Sequence, residues 1–92
     1  MSDADSIERS LARAVALHQA GDLARAEPLY REILARDPSQ ADALHLLGLI
    51  AQARGDPAAA VAWITRALTA QPNTAAFHFS LANVLQEQNQ SA

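Results

Sequence analysis

Apolar residues recur every three or four positions in five successive stretches, the spacing of a helix that buries one face. Ile7, Leu11, Ala14, Val15 and Leu17 mark the first stretch, and Leu23, Ala26, Leu29, Tyr30, Ile33 and Leu34 the second. The run A-D-A-L-H-L-L-G-L-I-A predicts a third helix and Ala58 to Ala70 a fourth. Phe77, Leu81, Val84 and Leu85 form the stripe of a fifth. Alanine and leucine dominate and β-branched side chains are few, which favours closely packed helices over sheets, so the chain is expected to be all-α.

The residues between the stretches act as punctuation. Asp5 or Ser6 can cap the first helix, and Gly21 ends it, because the residue after a helix terminus often takes a positive φ. Asp22 then caps the second helix. Pro28 falls inside that helix, removes the hydrogen bond to the Ala24 carbonyl and predicts a kink there. Asp37-Pro38 stops the helix, since proline disfavours helical geometry in the residue before it. Gly55-Asp56 repeats Gly21-Asp22 and Gln71-Pro72 repeats Asp37-Pro38, both at an offset of 34 residues. Pro57 at the first position of the fourth helix costs no hydrogen bond. Asn89 falls at the next repeat of the glycine and predicts the end of the fifth helix, with the polar tail Gln86 to Ser91 either fraying into water or marking where a longer solenoid was cut. Aligned over residues 7–40 and 41–74, the two units share Gly21/Gly55, Asp22/Asp56, Ala24/Ala58, Ala26/Ala60, Leu34/Leu68 and Pro38/Pro72.

Composition narrows the function. Alanine and leucine dominate, and aromatic residues make up only 4% of the 92, which favours closely packed helices. The net charge of −3 is scattered, lysine is absent, and nothing forms the basic patch expected for nucleic acid or an anionic membrane. With no cysteine, disulfides and thiolate chemistry are excluded. The polar start M-S-D-A-D-S lacks the pattern of a secretory signal and no apolar run is long enough to span a bilayer, so a cytoplasmic protein is expected.

The period, the Leu47-Gly48 pair, the small residues Ala60 and Ala67 and the closing Pro72 resemble the tetratricopeptide repeat family. Unit one matches through Gly21, Ala26, Tyr30 and Pro38, and departs from the family pattern at Ser10 and Arg13-Ala14. The resemblance implies a right-handed helical solenoid in one domain: an extension over 1–6, repeats over 7–40 and 41–74, and a half repeat or capping helix over 75–92. It implies that Gly48 lies at a close helix crossing, with Ala14 and Ala82 in the equivalent places. Helix five is then expected to cover helix four with Phe77, Leu81 and Leu85. Phrases such as A-E-P-L-Y-R-E-I-L are similar to the N-terminal repeats of bacterial O-linked sugar transferase-like or sulfotransferase-like proteins, whose catalytic domains follow the repeats, so the alternative this resemblance implies is an N-terminal substrate-recruiting or dimerising fragment of a larger transferase.

In the resembled family the first helix of each repeat lines a concave groove that binds protein or peptide. Carried onto this chain, the groove consists of Leu11, Val15 and His18, then His45, Leu49 and Gln52, then Phe79, Asn83 and Gln86. The basic clamp that some members use for a terminal carboxylate is missing, because Leu11, Val15, Leu46, Ala76 and Ser80 stand in its places. An apolar or amphipathic segment is therefore the expected partner, with self-association as an alternative.

The remaining chemistry points away from catalysis. His18, His45 and His78 do not pair at the spacing that puts two metal ligands on one helical face, so neither metal nor cofactor is expected. His45 reads as a hydrogen-bonding groove residue and His78 as a packed helix-interface residue. Trp63 and Tyr30 fall on apolar stripes and read as core. No nucleophile, base and acid set or phosphate-binding glycine loop is visible, and the chain reads as a non-enzymatic interaction module.

Overall fold

The computed structural model of the chain describes residues 2–91, and among them all regular structure is helical: α1 (Asp3–Gln19), α2 (Leu23–Arg36), α3 (Ala41–Ala53), α4 (Pro57–Ala70) and α5 (Ala75–Ser91). The chain is all-α, and the helices form repeated hairpins of the kind from which helical solenoids are built. Its backbone divides into two compact units, with the boundary between Pro38 and Ser39.

In the first unit, α1 and α2 form one hairpin. The helix starts earlier than Asp5 or Ser6. Ser2 is its N-cap, with its side chain accepting the Asp5 N–H at 3.3 Å. Residues 3–6 are thus the first turn of α1, because Ser2 satisfies an otherwise orphan amide one turn before the apolar stripe begins.

At the other end, Gly21 takes φ 85°, its N–H bonds to His18 O, and the Asp22 N–H bonds to Leu17 O at 2.9 Å. These paired bonds are a Schellman closure. Asp22 also caps α2, accepting the Arg25 N–H on Oδ1. One residue therefore ends one helix and begins the next, which fixes a tight hairpin. Arg36 Nη1 donates to Ser6 Oγ at 2.7 Å and ties the open ends together. α2 carries Pro28 without a break, running unbroken from Leu23 to Arg36. Ala14, Ala26, Tyr30, Ile33 and Leu34 are buried.

The second unit repeats that grammar with small differences. Gly55 takes φ 79°, Asp56 N–H bonds to Ala51 O, and the Asp56 side chain accepts the Ala59 N–H. Gln40 caps α3 by accepting the Ala43 N–H at 2.8 Å. The residues before the two repeat-closing prolines have almost the same backbone, Asp37 at φ −137°, ψ 88° and Gln71 at φ −138°, ψ 83°. That extended geometry is what proline imposes on its predecessor.

The packing of the α3–α4 pair turns on Gly48. A Cβ built there would lie 2.6 Å from Ile64 Cγ1 and 3.3 Å from the Ala60 carbonyl oxygen. The expected close crossing is present, and glycine is required for space rather than for backbone freedom.

α5 packs on α4 with a different residue set from the one expected. Val84 is fully buried with Ala60 and Ile64, Phe77 is buried, and Leu81 is half-buried, while Leu85 stays 43% exposed. Nor does α5 end at Asn89. No residue other than glycine has a positive φ among those described, and the helix runs on to Ser91, so Gln86 to Gln90 are helical rather than frayed. Asparagine tolerates the left-handed conformation without requiring it, so its place in the register does not by itself end a helix.

Candidate functional site

The nine expected groove residues occupy three equivalent triplets. Leu11, His45 and Phe79 are related by 34 residues, as are Val15, Leu49 and Asn83, and His18, Gln52 and Gln86. Within each helix the triplet spacing is i, i+4, i+7, which is one face.

In the first unit, Leu11, Val15 and His18 are all half-buried on α1. His18 Nδ1 shares a hydrogen bond of 3.2 Å with the Tyr30 hydroxyl, and the rings meet edge-on with centroids 6.0 Å apart. Burial pushes the Tyr30 hydroxyl up to about 12 and lowers the His18 imidazole below its ordinary value. His18 is therefore kept neutral near pH 7 and serves as a polar pin between α1 and α2.

In the second unit, α3 and α5 lie side by side, joined by two polar links. His45 Nε2 lies 2.7 Å from Ser80 Oγ, and Gln52 Nε2 donates to Glu87 Oε1 at 3.0 Å. The His45 ring also leans on Phe77, with centroids 4.7 Å apart. Burial lowers the His45 pKa, and the nearby Asp42 carboxylate opposes that shift. Ser80, only 8% exposed, is satisfied by this bond, and no buried side-chain polar atom among the described residues lacks a partner.

These contacts change the reading of the histidines. His45 spends one nitrogen and one ring face on α5, so it helps to hold the wall as well as line it. His78 is exposed rather than packed. Its Nε2 donates to the Pro72 carbonyl at 2.7 Å, which braces the turn between α4 and α5. The expectation that His78 is an interface residue is thus corrected: its position lies on the flank of α5 that no described helix covers. Trp63 is half-buried, with the Arg66 guanidinium 5.1 Å from its ring centroid.

What remains open to a partner in the second unit is amphipathic. Leu49 is half-buried on α3. On α5, Phe79 is 69% exposed, the most exposed large apolar residue of the described chain, and is followed by exposed Asn83 and Gln86. Around them the charge is acidic, from Asp42 and Glu87, and α3 and α5 contain no basic residue other than histidine. The surface offers an apolar platform beside amide donors and acceptors.

The links of Ser80 and Glu87 to α3 and the contact of Phe77 with the His45 ring were not anticipated from the sequence. A signal existed: both polar links between α3 and α5 join residues 35 positions apart, one more than the repeat. Complementary side chains at that offset mark neighbouring helices of successive repeats.

Among the described residues no group of His, Asp and Glu is placed to hold a metal ion, and no helix is long and apolar enough to cross a membrane. Comparison with known proteins agrees with the fold. The family described as Tetratricopeptide repeat matches residues 11–75 and again residues 45–92. No curated protein matches the chain. Among solved structures, a K341M mutant of the Thermobaculum terrenum O-GlcNAc transferase is similar at 33% identity with a TM-score of 0.89. The match covers 92% of this chain and 16% of that one, so the chain spans a small part of that enzyme's length.

Proposed function

Because the chain belongs to the tetratricopeptide repeat family, whose repeats serve as protein-interaction scaffolds, we propose that it binds an apolar or amphipathic segment of a partner protein along the first helices of its hairpins. The observation that carries this reading is Phe79, 69% exposed on a face of α5 that it shares with Asn83 and Gln86. An exposed aromatic ring flanked by amides suits a segment that inserts an apolar side chain while its polar groups find hydrogen-bond partners. The acidic surroundings favour a neutral or basic segment over an anionic one.

Binding alone accounts for these side chains, and we assign no catalytic role. Peptides selected from a displayed library should lose more than about tenfold in affinity for a Leu49→Glu, Phe79→Glu double variant, since a central anchor is worth about 2 kcal/mol or more. Circular dichroism would verify that the variant keeps its helices. Equal binding by the parent and the folded variant would remove this face as the site.

A second reading is favoured by the similarity to the O-GlcNAc transferase structure. In it, the repeats recruit substrate for a transferase domain carried by the same polypeptide. A gene that continues from these repeats into such a domain would support that reading. A gene whose continuation encodes something else would exclude it.

A further inference from the structure

Tyr30 is fully buried, and its hydroxyl has one hydrogen-bond partner among the described residues, Nδ1 of His18 at 3.2 Å. A phenol carries one proton to donate, and a buried O–H left without an acceptor is costly. If Nδ1 carried the ring proton, it would donate to the Tyr30 oxygen and strand the Tyr30 proton in the interior. The reverse arrangement satisfies both groups. Tyr30 donates to Nδ1, and the proton of the neutral imidazole then sits on Nε2. That nitrogen has no partner among the described residues, yet none of their buried side-chain polar atoms is left unbonded, so Nε2 opens to solvent. His18 shares the α1 face of Leu11 and Val15, and the same place of the register holds Gln52 on α3 and Gln86 on α5. All three side chains can present an N–H donor there. Gln52 already donates, to Glu87 Oε1 at 3.0 Å.

We propose that His18 determines specificity on this face, as a fixed Nε2–H donor that takes a neutral carbonyl oxygen of the bound segment. The inference rests on the reading of the first helices as the binding face. A histidine free to change its tautomer can donate or accept as a partner requires, whereas here the phenol removes that choice before binding. A preset donor discriminates, because a segment that turned an N–H towards it would leave two donors unpaired. A carboxylate gains less than a carbonyl. It would draw a second proton to the ring, and Nδ1 can take that proton only if Tyr30 turns its hydroxyl away from its one acceptor. Burial, which already lowers the His18 pKa, works in the same direction. Tyr30 is thus a positioning residue that acts through the imidazole without reaching the surface.

The tautomer is read on the free, isotope-labelled chain from the two His18 ring nitrogens in long-range proton–nitrogen spectra, recorded well above the histidine pKa. A protonated Nε2 and a bare Nδ1 are expected in the parent, and a mixture of both forms in Tyr30→Phe. A proton on Nδ1 in the parent, or the same spectrum in both chains, would overturn the proposal. Binding is then measured with the tightest peptide that a displayed library yields against the parent chain. In the Tyr30→Phe background no buried hydroxyl needs an acceptor. There, a further His18→Gln should hold that peptide within about twofold, and His18→Leu should weaken it about three- to tenfold, the range for one hydrogen bond. Equal affinities of the glutamine and leucine chains, with helices intact by circular dichroism, would overturn the donor role. Failure of the binding face itself shows elsewhere, in the Leu49→Glu, Phe79→Glu chain, whose His18 tautomer should stay as in the parent.

Discussion

The α1–α2 hairpin and the α3–α4 hairpin share one plan and solve its tightest point differently. In the second pair, glycine at position 48 admits a β-branched Ile64 directly over the backbone. In the first, Ala14 and Tyr30 hold the same two places of the register and are both fully buried, and the ring gains a hydrogen bond to His18 that Ile64 cannot make with Gln52. Gln52 is turned instead to Glu87 on α5. Both residues of the first pair are larger than their counterparts in the second, so the same register accommodates different side-chain volumes at its two buried places.

The largest expected effect breaks the second pair. Gly48→Leu should destabilise the chain by about 3 kcal/mol, the upper part of the range for overpacking a close contact. A melting temperature no lower than that of the parent would refute the crossing. Gly48→Ala should still destabilise despite alanine's better helix propensity, since the Cβ meets Ile64 and backbone alike, and Ile64→Leu should restore part of the loss. That double-mutant cycle measures the coupling directly.

Next in size are the turns, where the hairpins agree. Gly21→Ala and Gly55→Ala should each cost about 1–2 kcal/mol in urea unfolding, through backbone conformation alone. A Cβ at either glycine meets nothing within 4 Å. Unequal costs would show that one turn tolerates a change of closure. Tyr30→Phe should then cost about 0.5–1.5 kcal/mol for the bond to His18. The matching change at position 64 has no hydroxyl to lose.

The smallest effect concerns pH. His18 and His45 both have folded-state pKa values below their ordinary value because burial disfavours the charged ring. The unfolded chain therefore binds protons that the folded chain does not, and stability must fall as pH drops from about 7 through the unfolded histidine value near 6.5. Unfolding curves at pH 7.5 and 5.5 should show the loss, with His45→Gln reducing it. A variant as pH-sensitive as the parent would place the effect elsewhere.

Much of this molecule was legible in its sequence because the signals are local. Gly21-Asp22 and Gly55-Asp56 specify turns through the backbone preferences of two residues, and Pro38 and Pro72 stop helices through their own rings. Apolar spacing marked the buried faces of α2, α3 and α4, and Gly48 marked its crossing. Ser2 was passed over as a cap because the apolar stripe begins only at Ile7, and one polar turn precedes it. Asn89 misled because asparagine serves within a helix as readily as at its end.

By itself, then, the chain's order of residues determined the helices, their turns and the 34-residue register, since each depends on neighbours within a few positions. Only the tertiary structure decided which polar groups are consumed and which remain available. It turned His45 to Ser80, His18 to Tyr30 and Gln52 to Glu87, and left Phe79 and Leu85 exposed. Those outcomes depend on side chains brought together from 12 to 35 residues apart, where no local preference reaches and packing alone sets the pairing.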